Sequence, residues 1–207
     1  MVKGLIFDLD GVLVDTVPTH FAAWTRMFHE YGYAFDENIY RDRVDGRLRL
    51  DGARAVMVDH TEAEVREAAD LKNRYYLEMI DSGQFVVLEP AANYVRTCKR
   101  AGHKMAAASS SANVQYILKK AGILEEFDVV LGGHQVEHGK PHPEIFLKAA
   151  EGLDLPVADC IVFEDSESGV KAARAGGFYC VGIVAENSEA DLSDADTIVP
   201  SVADFQL

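Results

Sequence analysis

The chain has 207 residues, of which 48% are apolar, 26% charged and 9% aromatic. That length holds one large α/β unit or a core with an insert, and the composition excludes disordered, collagen-like and disulfide-stapled chains. Twenty basic against 34 acidic side chains give a formal charge of −14, which repels nucleic-acid phosphates and anionic membranes, so an anionic ligand needs a local positive site.

The three cysteines, Cys98, Cys160 and Cys180, form no C-x-x-C pair. Neither a disulfide framework nor a thiolate zinc site is suggested, and a reducing compartment fits best. The apolar run at the N-terminus is cut short by Asp8, too early for a signal peptide, and no stretch reaches the roughly 18 apolar residues of a membrane span. A cytoplasmic, unprocessed protein is expected, monomeric or weakly dimeric, with neither nucleic acid nor membrane as a partner.

In chain order, a short apolar run predicts a first strand over Leu5–Leu9. Helix-spaced apolar residues follow over Thr19–Tyr31 and Glu62–Ile80, and Ser82-Gly83 and Glu89-Pro90 punctuate the chain after them. Strands and helices then alternate: helix Asn93–Ala101, strand Lys104–Ala108, helix Asn113–Ala121, strand Val129–Leu131, helix Pro143–Glu151, strand Cys160–Phe163, helix Ser168–Ala175, strand Tyr179–Ile183. Gly102, Gly122, Gly152 and Gly176 mark helix ends. The alternation predicts a mainly parallel sheet wrapped by helices. The interval between the first two strands is too long for a βα crossover, so an inserted helical unit is expected at about 16–86. No internal repeat or low-complexity tract is present.

The chemistry concentrates at predicted strand tips. Asp8 and Asp10 in Phe7-Asp8-Leu9-Asp10-Gly11-Val12 point to the same side because strand side chains alternate, and Gly11 lets the chain turn away sharply. Ligands of open α/β sheets bind beyond such carboxyl ends. The second core strand runs into Ser109-Ser110-Ser111 before the Asn113 helix, where hydroxyls and amides hold a phosphate or merely cap the helix. Lys140 sits in the proline-stiffened Gly139-Lys140-Pro141-His142-Pro143. Glu164-Asp165 places a second carboxylate pair at another strand tip, supplying the hard oxygen ligands that Mg²⁺ requires.

These four motifs, in this order, resemble those of the haloacid dehalogenase superfamily. The insert just after the first motif resembles the helical-cap subclass that contains β-phosphoglucomutases and sugar-phosphate phosphatases. The resemblance spans essentially the whole chain. It implies a Rossmann-like α/β core over 1–15 and 87–207 and an all-helical cap domain over 16–86. By the same resemblance Asp8 attacks phosphorus to form an aspartyl phosphate, and Asp10 serves as general acid and then base. Asp8, the Asp10 carbonyl, Glu164 and Asp165 would hold Mg²⁺, while Ser109 and Lys140 would grip the transferring phosphoryl oxygens.

In the cap, His20-x-x-Ala23-Trp24 resembles the pattern in which the histidine couples cap closure to Asp10; an interface His and a core Trp are the alternative. Arg41, Arg43, Arg47, Arg49 and Arg54 cluster within fourteen residues, interspersed with Asp42, Asp45 and Asp51. Most are expected to be solvated or paired. The stretch Gly46 to Asp51 resembles the mutase loop that binds a distal phosphate, which singles out Arg49, and Lys72 resembles the cap lysine of the same group. Ser111 and Asn113 join the substrate-binding candidates. Mutases often carry a lysine after the serines, whereas this chain has Ala112; the loss of a cation favours a phosphatase over a mutase.

The expected activity is a Mg²⁺-dependent phosphatase of small sugar phosphates, with a β-phosphoglucomutase-type isomerase as the alternative. A receiver-like signalling domain also uses an acceptor aspartate, an acidic pair, a hydroxyl and a lysine, but has no purpose for Asp10 or the cap. Dehalogenase and phosphonatase chemistry do not call for an acid at position 10. His134, His138 and His142 are spaced four apart, yet Gly139 and Pro141 interrupt any helix through them, which argues against a helical zinc pair. Glu125-Glu126 and the run from 186 to 196 read as acidic surface.

Overall fold

The computed structural model describes residues 2–184 and 190–207. Its elements, in order, are β1 (Gly4–Phe7), β2 (Val14–Asp15), α1 (Val17–Glu30), α2 (Glu37–Arg43), α3 (Arg49–Val56), α4 (Glu62–Asp81), β3 (Val86–Val87), α5 (Glu89–Arg100), β4 (Lys104–Ser109), α6 (Val114–Lys120), β5 (Val129–Gly132), α7 (Glu144–Gly152), β6 (Cys160–Glu164), α8 (Glu167–Ala175), β7 (Tyr179–Ile183) and β8 (Thr197–Val199). A six-stranded sheet runs β5-β4-β1-β6-β7-β8 with every pair parallel. This is the predicted α/β class, a Rossmann-like core carrying a helical cap. Among the described residues no helix is long and apolar enough to cross a membrane.

The central strand shows why the sequence takes this form. β1 is buried throughout. Leu5 and Phe7 face one hydrophobic layer, while Ile6 faces the other with Ala106, Ala108, Val162, Phe146 and Phe178. A strand covered on both sides reads as an unbroken apolar run, and Phe7 stacks on Phe163 of the neighbouring strand with ring centroids 4.6 Å apart. The chain passes from β1 through β4 to β5, then returns to β6 on the other side of β1. That reversal opens a crevice at the carboxyl end of β1, where Asp8 and Asp10 lie.

The helices between β2 and β3 form the cap, with α1 packed along α4. Trp24, Met27 and Phe28 from α1 and Val65, Ala69 and Tyr76 from α4 make its interior. Helix α4 starts at a capping box: the Thr61 amide donates to Glu64 Oε2 at 2.8 Å, and Thr61 Oγ1 accepts the Glu64 amide.

The structure adds elements the pattern did not announce. β2 and β3 pair antiparallel, Val14 opposite Val87 and Asp15 opposite Val86, so the two chain crossings at the base of the cap run side by side. Two residues per strand are too few for a visible alternation. Helices α2 and α3 are seven and eight residues long, shorter than a clear helical period, and β8 is a three-residue edge strand. The acidic run from 186 to 196 lies partly outside the described residues. At its end Asp196 is not plain surface: it accepts both bonds of an Arg174 contact at 2.7 Å and the Cys180 amide at 2.8 Å.

Candidate active site

β1 ends at Phe7, so Asp8 leaves the sheet at its carboxyl edge. Lys140 reaches this point from the loop before α7, its Nζ 2.5 Å from Asp8 Oδ1 and also hydrogen-bonded to Glu164. The three side chains are 2%, 8% and 1% exposed, so water does little to screen them. The other Glu164 oxygen accepts the amide of Ser166 at 2.8 Å and its hydroxyl at 3.0 Å. Of the expected metal ligands, Glu164 is therefore already engaged on both oxygens. Asp165 lies over Gly11, where a Cβ would sit 1.8 Å from Asp165 Oδ2 and φ is +76°. Only glycine allows both that backbone and that approach.

The electrostatics of this cluster match a divalent cation. Burial pushes the Asp8 carboxyl up to about 8, with Glu164 and Asp10 adding repulsion that Lys140 only partly offsets. Burial, then Glu164, Asp8 and Asp45, raise Asp165 well above the usual carboxylate range. Lys140 is held above the ordinary lysine value because Asp8 and Glu164 outweigh its burial. One buried ammonium thus faces more carboxylates than it can neutralise. Hard oxygen donors with excess negative charge are what Mg²⁺ needs, and Asp8, Asp10 and Asp165 all line the cavity.

Asp10 sits in a different environment. Thr16 donates to its Oδ1, His20 Nε2 lies 3.4 Å from the same oxygen, and Ser109 Oγ donates to Oδ2 at 3.3 Å. Burial works against its charge, but His20, Thr16 and Lys72 outweigh it and hold Asp10 below the usual carboxylate value. Behind it, Lys72 Nζ is 2.6 Å from His20 Nδ1 and lies over the rings of Trp24 and Tyr76 at 4.9 and 4.7 Å. Burial pushes Lys72 down to about 7, and burial and the Lys72 charge lower His20. The His20 ring stacks on Tyr76 with centroids 4.0 Å apart. The cap histidine and lysine therefore act on Asp10, and the tryptophan packs against the lysine.

The serine run closes the cavity from the core side. Ser109 Oγ accepts the Ser111 amide at 3.0 Å, and Ser111 Oγ accepts the Asn113 amide at 3.2 Å. Asn113 Nδ2 donates across to Asn73 of α4 at 2.8 Å, and Ser110 Oγ donates to the Gly46 carbonyl at 2.6 Å. Gly46 has φ +70°, and a Cβ there would meet Ser168 Oγ at 2.1 Å. Cap and core are thus tied on both sides of the cleft. Between them lies a cleft lined by residues of both the cap and the core, among them Asp8, Asp10, His20, Arg49, Lys72 and Lys140.

Arg49 lines this cavity, with Nη2 3.3 Å from Asp70 Oδ1. Arg54 is taken up by Asp51 at 2.8 Å and Glu62 at 2.5 Å, and Arg41 by Asn38 at 2.8 Å. Asp45, one of the aspartates interspersed among these arginines, is not a solvated surface residue. It turns into the cavity, bonds the Tyr40 hydroxyl, and is raised to about 6 by burial and then by Glu164. Thr16, Tyr40, Asp45, Arg47, Asn73 and Ser110 were not singled out as site residues. Only the departure of Asp45 and Arg47 from a simple surface pattern beside Gly46 offers a signal for them. The lining brings Arg47, Arg49, Lys72 and Lys140 beside Asp8, Asp10, Asp45 and Asp165, a local gathering of cations in a chain of charge −14. It can seat an anion beside two carboxylates, Asp8 and Asp10, that burial and their neighbours drive in opposite directions.

Known proteins resemble this chain in sequence and fold. Residues 2–177 match the family model described as haloacid dehalogenase-like hydrolase. The β-phosphoglucomutase of Bacillus subtilis is 32% identical over 99% of this chain and 92% of its own length. A phosphorylated carbohydrates phosphatase of Thermotoga maritima is 33% identical over 84% of this chain and 82% of its own length. The crystal structure of β-phosphoglucomutase from Clostridium difficile superposes with a TM-score of 0.91 at 29% identity, covering 100% of this chain and 94% of that one. With the four strand-tip motifs gathered at one cleft, the chain belongs to the haloacid dehalogenase-like hydrolases and is an enzyme of their phosphotransferase kind.

Proposed function

We propose that this enzyme hydrolyses small sugar phosphates through an aspartyl phosphate on Asp8. The observation that carries the reading is the buried contact of Lys140 with Asp8, beside an Asp10 whose three hydrogen-bond partners include Ser109 and the cap histidine. The residues over 16–86 form the cap and the remainder the core. The Asp8 carboxylate attacks phosphorus as the bond to the sugar oxygen breaks, and Asp10 gives its proton to that oxygen. Water then attacks the aspartyl phosphate, returns a proton to Asp10 and releases phosphate. Asp10 carries the first proton because an arriving phosphate dianion disfavours its charged form. Ser109 and Lys140 hold the transferring phosphoryl oxygens.

Mg²⁺ held by Asp8, the Asp10 carbonyl and Asp165 supplies charge neutralisation between nucleophile and substrate; Glu164 joins only by releasing one of its present hydrogen bonds. The names of the Bacillus and Thermotoga relatives support a phosphorylated carbohydrate as substrate. Ala112 and an Asn113 already bonded to Asn73 favour hydrolysis over retention of a bisphosphate. The likeness to mutases keeps the isomerase as the second reading. Three free buried cysteines accord with a cytoplasmic, reducing setting.

The ³¹P spectra of a panel of hexose, pentose and glycerol phosphates with Mg²⁺ and a bisphosphate primer test this reading. Free phosphate is the expected product; a shifted sugar-phosphate resonance without release assigns the mutase instead. Asp8→Asn should abolish turnover, and Asp10→Asn should lower kcat by about 10²–10⁴; near-normal turnover by Asp8→Asn refutes the mechanism. Arg49→Ala should raise KM by about 10–100-fold, the worth of a charge-assisted hydrogen bond, for substrates with a distal anionic group, and leave those without one nearly unchanged.

The raised carboxylates also make stability depend on pH and metal. Asp8 at about 8 and Asp45 at about 6 hold protons that the unfolded chain has already lost. Their stabilising contribution is full below about pH 4 and drains away as pH rises through the folded values. In EDTA the melting temperature should therefore fall between about pH 5 and 7, and Mg²⁺ should raise it, more at pH 7 than at pH 5. Equal Mg²⁺ effects at both pH values would argue against cation binding by these carboxylates.

A further inference from the structure

The loop that carries Lys140 presents a second group of metal-ligating side chains on its outer face. Glu144, the first residue of α7, turns its carboxylate back onto the loop. It accepts the amides of Glu137 at 3.0 Å and His138 at 2.9 Å, and lies 2.7 Å from Lys148 Nζ. Those contacts fix the carboxylate with only 15% of the side chain exposed, and the Lys148 bond followed by the two amides holds it down at about 2. His138 Nδ1 lies 3.1 Å from Glu144 Oε2. The rings of His138 and His142 stand 4.6 Å apart, tilted by 35°. One nitrogen from each ring and one Glu144 oxygen all lie within 4.8 Å of one another.

We propose that His138, His142 and Glu144 form a binding site for a zinc-class divalent cation, separate from the oxygen-lined cleft. Two imidazoles and a carboxylate form a ligand set for Zn²⁺, Co²⁺ or Ni²⁺, with water completing the coordination, whereas Mg²⁺ prefers oxygens alone. Bonds of about 2.0–2.2 Å put tetrahedral ligands about 3.4 Å apart, so side-chain rotations of about an ångström close the group around an ion. Where His142 ligates through Nδ1, it gives up the weak 3.3 Å bond that this nitrogen accepts from the Glu144 amide.

The spacing has a structural reason that differs from a helical one. The Pro141 and Pro143 turn, not an i,i+4 helix face, folds His142 back toward His138, and His134 is outside the group. Two features oppose the ion: the Lys148 ammonium at 2.7 Å from Glu144 and the positive end of α7. The site is therefore weaker than a permanently loaded structural centre. It straddles Lys140, which lies two residues from each histidine.

Zn²⁺ titrated calorimetrically into the full chain, with excess Mg²⁺ covering the acidic cleft, tests the assignment without reference to catalysis. One equivalent is expected to bind at micromolar concentration. His138→Ala and His142→Ala, both exposed positions, should each weaken binding at least tenfold, while Asp165→Asn leaves it within twofold. No binding up to about 1 mM, unchanged affinity in both histidine variants, or loss in Asp165→Asn overturns the proposal.

Discussion

The site depends on one buried ammonium. Lys140 is enclosed with Asp8 and Glu164, and removing one partner of such a buried pair costs about 3–5 kcal/mol because the other charge is left uncompensated. Its position binds three separate pieces of chain: the tip of β1, the tip of β6 and the loop before α7. It also leaves the carboxylates in excess, which is why burial still raises Asp8 and Asp165 and why the cleft suits the divalent cation proposed for it. The same lysine that organises the strand tips only partly offsets the negative charge on which the proposed chemistry relies.

Two carboxylates two residues apart are driven in opposite directions by their surroundings. Asp8 lies among acids and is raised; Asp10 is held down by hydrogen bonds and cap cations. Much of what acts on Asp10 comes from the cap, through His20 and Lys72. The cap therefore shapes the electrostatics of Asp10 as well as one wall of the cleft. Gly11 and Gly46 allow close approaches at the cleft, one admitting Asp165 and the other seating the cap loop against Ser168.

The core elements were legible because strands buried on both faces read as unbroken apolar runs and the long helices as periodic ones. The strand-tip acids, the serines and Lys140 were legible because chemistry-bearing residues interrupt those runs at the sheet's carboxyl edge. Short elements carried too few residues for a pattern, which hid α2, α3 and the paired β2 and β3. Asp45 and Tyr40 were hidden for another reason: a loop acid reads as solvated until the fold turns it inward. The near approach of His138 and His142 was visible as spacing, but a proline turn, not a helix, produces it.

The central claim is that Asp8 takes the phosphoryl group. Quenching turnover of a sugar phosphate within milliseconds and reducing with borohydride converts an aspartyl phosphate to homoserine, which peptide mass spectrometry locates. The account predicts homoserine at position 8 in the Mg²⁺-loaded enzyme and none after Asp8→Asn. Modification at another residue, or none during demonstrable turnover, would contradict it.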